Sequence, residues 1–234
     1  MSVQSPLLVS DEIEYPQSDG QPRSDNTLQF QWITMIVGNL QALFHDNPKV
    51  FVAGDLLWYP IEGDNKTRTA PDAMVEFNRP KGHRGSYMPW KEGGIPPQVV
   101  FEVLSPGNRV REMTNKFRFY ERFGVEEYYL HDPDQNELSG WSRDGSGLDP
   151  VAEMDGWLSP RLGSRFEYGE TEIRILGPDG RSFATFEELS ERAQREEARA
   201  ASVAARADQE AARGEAHRAA PCLGNRAGRL NVGK

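Results

Sequence analysis

The residues predict an α/β domain, a mixed sheet flanked by helices in the order α-β-β-β-α-β, followed by a helical tail. Three observations carry that reading. Residues 26–44, NTLQFQWITMIVGNLQALF, place apolar side chains at helical spacing. Three β-rich runs follow, VFVAGDLLWY (50–59), DAMVEF (72–77) and QVVFEVL (98–104), parted by segments rich in Gly, Pro, Asp and Asn. Then REMTNKFRFYERF (111–123), stopped by Gly124, leads into EEYYLHD (126–132), so that a helix joins two strands.

Each element has its own signals. Asp25 or Asn26 can cap the first helix, since a short side-chain oxygen accepts one of the N–H groups left unpaired at a helix start. The second strand follows Pro71. The segment FNRPKGHRGSYMPWKEGGIPP is polar, Gly/Pro-rich and long enough to be a functional loop. SPGN (105–108) breaks the chain before the second helix, and weaker strands at 138–141 and 172–176 are expected to extend the sheet. We therefore divide the chain into an N-terminal extension (1–24), a folded domain (25–180), a helical tail (181–218) and a disordered terminus (219–234). Near residue 186 the composition turns to Ala, Glu and Arg, which favours helix. Its apolar positions are nearly all alanine, so it lacks the heptads of a strong coiled coil, leaving a solvated single helix or a weak oligomerisation helix. The last residues, PCLGNRAGRLNVGK, carry Pro, Gly and no periodicity. No internal repeat is found.

Composition narrows the function. The chain has 234 residues, 37% of them hydrophobic, enough for a sizeable core. No apolar run reaches membrane-spanning length and the start has no leader-like pattern, so a cytoplasmic protein without membrane contact is expected. One cysteine, Cys222, excludes a disulfide framework and a thiolate zinc site. Four scattered histidines lack the i, i+4 pair of a zincin. A net charge of −9, concentrated before residue 186, argues against a protein that mainly coats nucleic acid but leaves room for a locally basic cleft. G-x-S-x-G, P-loop and G-x-G-x-x-G patterns are absent.

The informative charges are Glu102, Lys116 and Asp72. Glu102 lies between Phe101 and Val103 in a strand that should be buried, where an unpaired charge costs several kcal/mol. On the second helix Tyr120, Met113, Phe123 and Phe119 all fall within about 60° of Lys116, which puts the lysine at the centre of the apolar face. Arg111, Arg118 and Arg122 fall on the opposite, solvated side. Lys116 therefore needs an anion: Glu102 across the short connection, or Glu112 one turn back on the same helix. Asp72, at the start of the second strand, can converge on Glu102. Two nearby carboxylates call for a cation, and oxygen ligands suit Mg²⁺ or Mn²⁺. A metal, two carboxylates and a lysine together suit phosphodiester hydrolysis. The competing reading has Asp72 capping a turn and Glu102 paired with an arginine. Asp55 is a secondary candidate for a third carboxylate, against a plain strand or turn aspartate; Asp132 reads as a turn residue, and His131 as structural, against a role as an assisting base.

The runs TAPDAMVEF, PPQVVFEVLSPGN and KFRFYERFGVEEYYLHDPD resemble, in family order, the Uma2 family of restriction-endonuclease-like proteins within the PD-(D/E)XK nuclease superfamily. The likeness covers about residues 25–180. It implies a restriction-endonuclease-like core, a Mg²⁺- or Mn²⁺-dependent endonuclease acting on DNA, and Asp72 and Glu102 as metal ligands. The superfamily pattern puts lysine two residues after the glutamate; Leu104 stands there, and Lys116 from the following helix is the matching replacement. A basic rim of Arg68, Lys81, Arg84 and Arg109 is expected around a cleaving site, with Arg109 also a secondary site candidate. A homodimer in contact through the C-terminal helix is a further expectation. The alternative is a nuclease-fold module that no longer cleaves and binds protein or nucleic acid instead.

Overall fold

A computed structural model describes residues 13–18, 20, 24, 26–108, 110–169 and 172–219, apart from the side chains of 208 and 211–219. Cys222, Asp25, Arg109 and the expected disordered terminus beyond residue 219 lie outside the described residues. The chain divides into two compact units, Met1–Thr185 and Phe186–Lys234.

In the first unit, helix α1 (Thr27–Leu43) begins where Asn26, in extended backbone, accepts a hydrogen bond from the Gln29 N–H at 2.8 Å. Trp32, Ile33, Ile36 and Leu40 form its buried stripe. There follow β1 (Val50–Ala53), β2 (Ala73–Phe77), β3 (Val99–Val103), α2 (Val110–Arg122) and β4 (Glu127–Asp132), the order the sequence predicts. Helix α2 stops in a Schellman turn: Gly124 takes φ 89° and the Val125 N–H reaches the Tyr120 carbonyl at 3.0 Å. Strands β5 (Glu137–Asp144) and β6 (Gly147–Pro150) complete a six-stranded sheet in sequence order. The β3–β4 pair, joined through α2, is parallel and the other four pairs are antiparallel. A short one-turn helix, Pro89–Lys91, lies between β2 and β3.

Two elements differ from expectation. The first strand ends at Ala53 rather than Tyr59, because Gly54 and Asp55 bend the chain and Asp55 takes φ 50°, a conformation aspartate tolerates better than most residues. Residues 173–176 do not extend the sheet. They form β8 (Ile173–Leu176), which pairs with β7 (Arg165–Tyr168) in a separate two-stranded sheet. Phe166, Ile173 and Ile175 join the α1 core there, so their apolar period is satisfied without an edge of the main sheet.

Strand alternation sorts the core into two layers. Val99, Phe101 and Val103 pack with the α1 stripe, while Met74, Val100 and Tyr128 pack with Tyr120 of α2 and with Trp58. Glu102, Glu76 and Asp72 share the α2 side by the same period. The long loop between β2 and β3 is anchored rather than loose. The Tyr87 N–H donates to the Leu57 carbonyl at 2.8 Å, the Tyr87 hydroxyl to Ile95 at 2.7 Å, and Arg84 pairs with Glu92 at 2.6 Å while lying over the Phe51 ring. Part of the N-terminal extension is also held: the Gly63 N–H donates to the Tyr15 hydroxyl at 2.7 Å, and the Tyr59 hydroxyl to the Pro16 carbonyl at 2.7 Å.

Glu76 sits fully buried beneath that loop, with neither carboxylate oxygen hydrogen-bonded among the described residues. Burial pushes its pKa well above the usual carboxylate range; the Arg84 charge opposes this and Glu92 adds to it. The unfolded side chain titrates near 4.5 and the folded one higher, so the folded state holds the proton more tightly. That contribution is complete below the unfolded value and is lost as pH rises through the folded one. Glu76→Gln is therefore expected to flatten the decline of Tm with pH and to raise stability at alkaline pH by about 1 kcal/mol or more. Thermal melts between about pH 5 and about pH 9 check this; a Gln variant less stable than wild type at the alkaline end would show an ionised Glu76 paired with Arg84.

In the second unit, α3 (Phe186–Ala219) is a 34-residue helix. Its described side chains are nearly all exposed, with Glu191 and Arg195 one turn apart at 3.7 Å. Among the described residues no helix is long and apolar enough to cross a membrane.

Candidate active site

The C-terminal end of β3 and the middle of α2 bring three charges together. Glu102 is 2% exposed, and its Oε2 accepts a hydrogen bond from Lys116 Nζ at 2.7 Å. Its other oxygen, Oε1, accepts from the Tyr120 hydroxyl. Lys116 and Tyr120 are four residues apart and so share one helix face, which α2 turns onto the sheet. Asp72, just before β2, accepts the Val103 N–H on Oδ2 at 2.7 Å. The Val103 carbonyl in turn accepts from Gln29 Nε2 of α1 at 2.8 Å. The two peptide units flanking the Val103 Cα at the end of β3 are thereby each held, one by Asp72 and the next by Gln29. Gly54 presses on this corner: a Cβ there would lie 3.0 Å from the Asp72 carbonyl oxygen and 2.8 Å from Val37 Cγ2.

Electrostatics follow from the crowding. Burial pushes the Asp72 carboxyl well above the usual range, the adjacent Glu102 charge adds to this, and Lys116 opposes both. Asp72 also lies within hydrogen-bonding reach of Glu102, which further favours its protonated form. Lys116 carries the opposite balance. Burial alone would lower its pKa, but Glu102 and then Asp72 outweigh it and raise the value, which keeps the ammonium charged at neutral pH. Burial and the Glu102 charge likewise push Tyr120 well above the ordinary phenol range, and the Thr69 hydroxyl also reaches it.

A cavity of about 420 Å³ opens beside this cluster, lined by Arg68, Thr69, Arg111, Glu112, Asn115, Lys116 and Phe119. The lysine turns away from its helical neighbour Glu112, which acts on it only weakly, and toward the strand glutamate.

The other sequence candidates fall elsewhere. Asp55 is exposed beyond the end of β1, with its N–H donating to Pro71 at 3.0 Å, and among the described residues no third His, Cys, Asp or Glu completes a metal-holding group. Of the expected basic rim, Arg68 lines the cavity. Lys81 instead donates to the carbonyls of Phe44 and His45 at the end of α1, at 2.7 and 2.6 Å, and Arg84 is committed to Glu92. Arg109 lies outside the described residues. Asp132 closes a turn, accepting the N–H groups of Asp134 and Gln135 at 3.0 and 3.1 Å. His131 lies on the opposite face of the sheet from Glu102, against Trp32, and burial lowers its pKa. Four neighbours of the cluster were not among the sequence's site candidates: Tyr120, Gln29, Thr69 and Arg111, the last of which lines the cavity beside Lys116 although helix spacing put it on the opposite, solvated side. Tyr120 had a signal, its i+4 spacing from Lys116; Gln29 and Thr69 had none, because their roles arise from tertiary contact.

The sequence model of the Uma2 family, described as "Putative restriction endonuclease", matches residues 11–182. Among solved structures, a protein from Anabaena variabilis described as a "putative nuclease belonging to DUF820" is similar at 16% identity and a TM-score of 0.45, over 58% of this chain and 73% of that one. No curated protein matches.

Proposed function

Since the chain belongs to the Uma2 family, we propose that it is a metal-dependent endonuclease hydrolysing DNA phosphodiester bonds, with Asp72 and Glu102 holding the cation and Lys116 as the catalytic cation of the protein. The observation that carries this reading is the meeting of two carboxylates and a half-buried lysine at the end of β3, beside an open cavity. The donors fit Mg²⁺ or Mn²⁺: they are oxygens, their mutual repulsion raises Asp72, and each Glu102 oxygen keeps a second lone pair beyond its bond to Lys116 or Tyr120. Mg²⁺ needs only one or two protein carboxylates when water and phosphate supply the rest. Once bound, the cation would offset the phosphate charge and acidify the attacking water.

The chain's own groups do the remaining work. Lys116 stays protonated, so it stabilises negative charge in the transition state and does not serve as a base. Tyr120 fixes the second Glu102 oxygen and so holds the carboxylate plane. The Val103 N–H orients Asp72, and Gln29 holds the carbonyl of the same residue, in the next peptide unit.

A second reading has one specific observation in its favour. Both Glu102 oxygens are already engaged, and among the described residues the acidic pair stands without a third ligand. A module that has kept the ion pair for structure and binds protein or nucleic acid without cutting would show the same contacts. Incubation of single-stranded and duplex DNA with Mg²⁺ or Mn²⁺ separates the two. Metal-dependent cutting that disappears in both Glu102→Ala and Lys116→Ala is the expected result. No cutting by the wild type, with both variants unstable, would leave the binding module.

A further inference from the structure

We propose that the cavity beside Lys116 takes one unpaired nucleotide, so that the substrate is nucleic acid in single-stranded form; this rests on the nuclease reading of the adjoining site. At about 420 Å³ the open cavity falls within the volume range of small-molecule sites, room for a single nucleotide against its wall. A base that is paired and stacked in a duplex can enter such a space only by being extruded, whereas a single strand presents its bases freely.

The lining has the two elements that single-strand sites combine, an aromatic platform and cations for the backbone. Phe119 is half-buried at the cavity and is held in place by the edges of Trp58 and Phe123, at centroid distances of 5.0 and 4.7 Å. It is a fixed surface on which a base can stack. Arg68 is steadied by the Asn65 carbonyl at 2.9 Å, and among the described residues neither Arg68 nor Arg111 forms an ion pair. Both guanidiniums remain available to phosphate. Thr69 and Asn115 offer further hydrogen bonds, and Glu112, which Asn108 approaches at 3.5 Å, offers an acceptor for a base edge and no attraction for phosphate. With Lys81 and Arg84 engaged elsewhere and a net charge of −9, no broad basic band among the described residues beside the cavity supplies the many phosphate contacts on which duplex binding depends.

Binding of the full chain to a labelled DNA strand of about 12 nucleotides, to RNA of the same sequence and to the blunt DNA duplex, read by fluorescence anisotropy with Mg²⁺ and with chelator, tests this. A single strand is expected to bind at least about tenfold more tightly than duplex, and the DNA and RNA arms say which sugar is preferred. Phe119→Leu keeps an apolar side chain against Trp58 and should weaken single-strand binding about tenfold while leaving duplex binding unchanged. With two phosphate contacts, log K should fall against log salt with a slope near about −1.4, and Arg111→Gln, at an exposed position, should roughly halve it. Duplex bound as tightly as single strand, no binding to either strand, or both variants binding single strands like the wild type would overturn the assignment. Cutting of duplex without single-strand preference would refute it and keep the nuclease; single-strand preference without metal-dependent cutting would keep it and refute the nuclease.

Discussion

Lys116→Ala is expected to lower stability by about 3–5 kcal/mol, because it strands the Glu102 carboxylate in an interior that is 2% exposed. In a chain of this size that corresponds to a fall in Tm on the order of 10 °C. The loss arises from the uncompensated partner rather than from the worth of the pair, so removing both charges should undo it. A Glu102→Leu, Lys116→Met double variant is expected to lie within about 2 kcal/mol of wild type, or above it, while remaining unable to cut. Denaturant titration of the wild type, both single variants and the double variant closes the cycle. If Lys116→Ala unfolds at the same denaturant concentration as wild type, Glu102 is not held as an ion pair with Lys116.

Asp72→Asn separates chemistry from stability in the opposite sense. Its carboxyl is raised by burial and by Glu102, so the folded state favours the neutral form. The unfolded group titrates near 3.8; the stability linked to this proton is complete below that value and is lost as pH rises through the folded one. An amide keeps an oxygen for the Val103 N–H without the charge. At neutral pH the variant should therefore be as stable as wild type or more so, and the dependence of Tm on pH should flatten. Cleavage should nevertheless fall about 10³-fold, because a neutral amide weakens the cation's hold and the field at the phosphate. Cleavage rates beside melting curves give the answer; a variant that cuts at the wild-type rate removes Asp72 from the metal-holding pair.

The fold was legible because its elements announce themselves locally. Apolar spacing marked α1 and α2, Gly124 marked the end of α2, and the β-rich runs marked β1 to β4 in order. The α2 periodicity also pointed Lys116 toward the sheet, and the contact with Glu102 was one of two partners left open by the spacing. What escaped has a common cause. The end of β1 depends on Asp55 entering a left-handed conformation, a choice made by the neighbouring Pro71 carbonyl and the tight approach of Gly54 to Asp72. Residues 173–176 pair with β7 because the α1 layer offers them a place to bury Ile173 and Ile175. The rim cations divide between the cavity and structural partners by tertiary proximity alone, which neither charge nor spacing encodes.

The Val103 peptide has a consequence of another kind. Its N–H ends on Asp72, so one backbone amide in the interior terminates on a carboxylate whose protonation follows the state of the site. The resonance of that single amide is a built-in gauge: it responds to the proton on Asp72 and to any cation that displaces it, with no substrate present and no turnover needed.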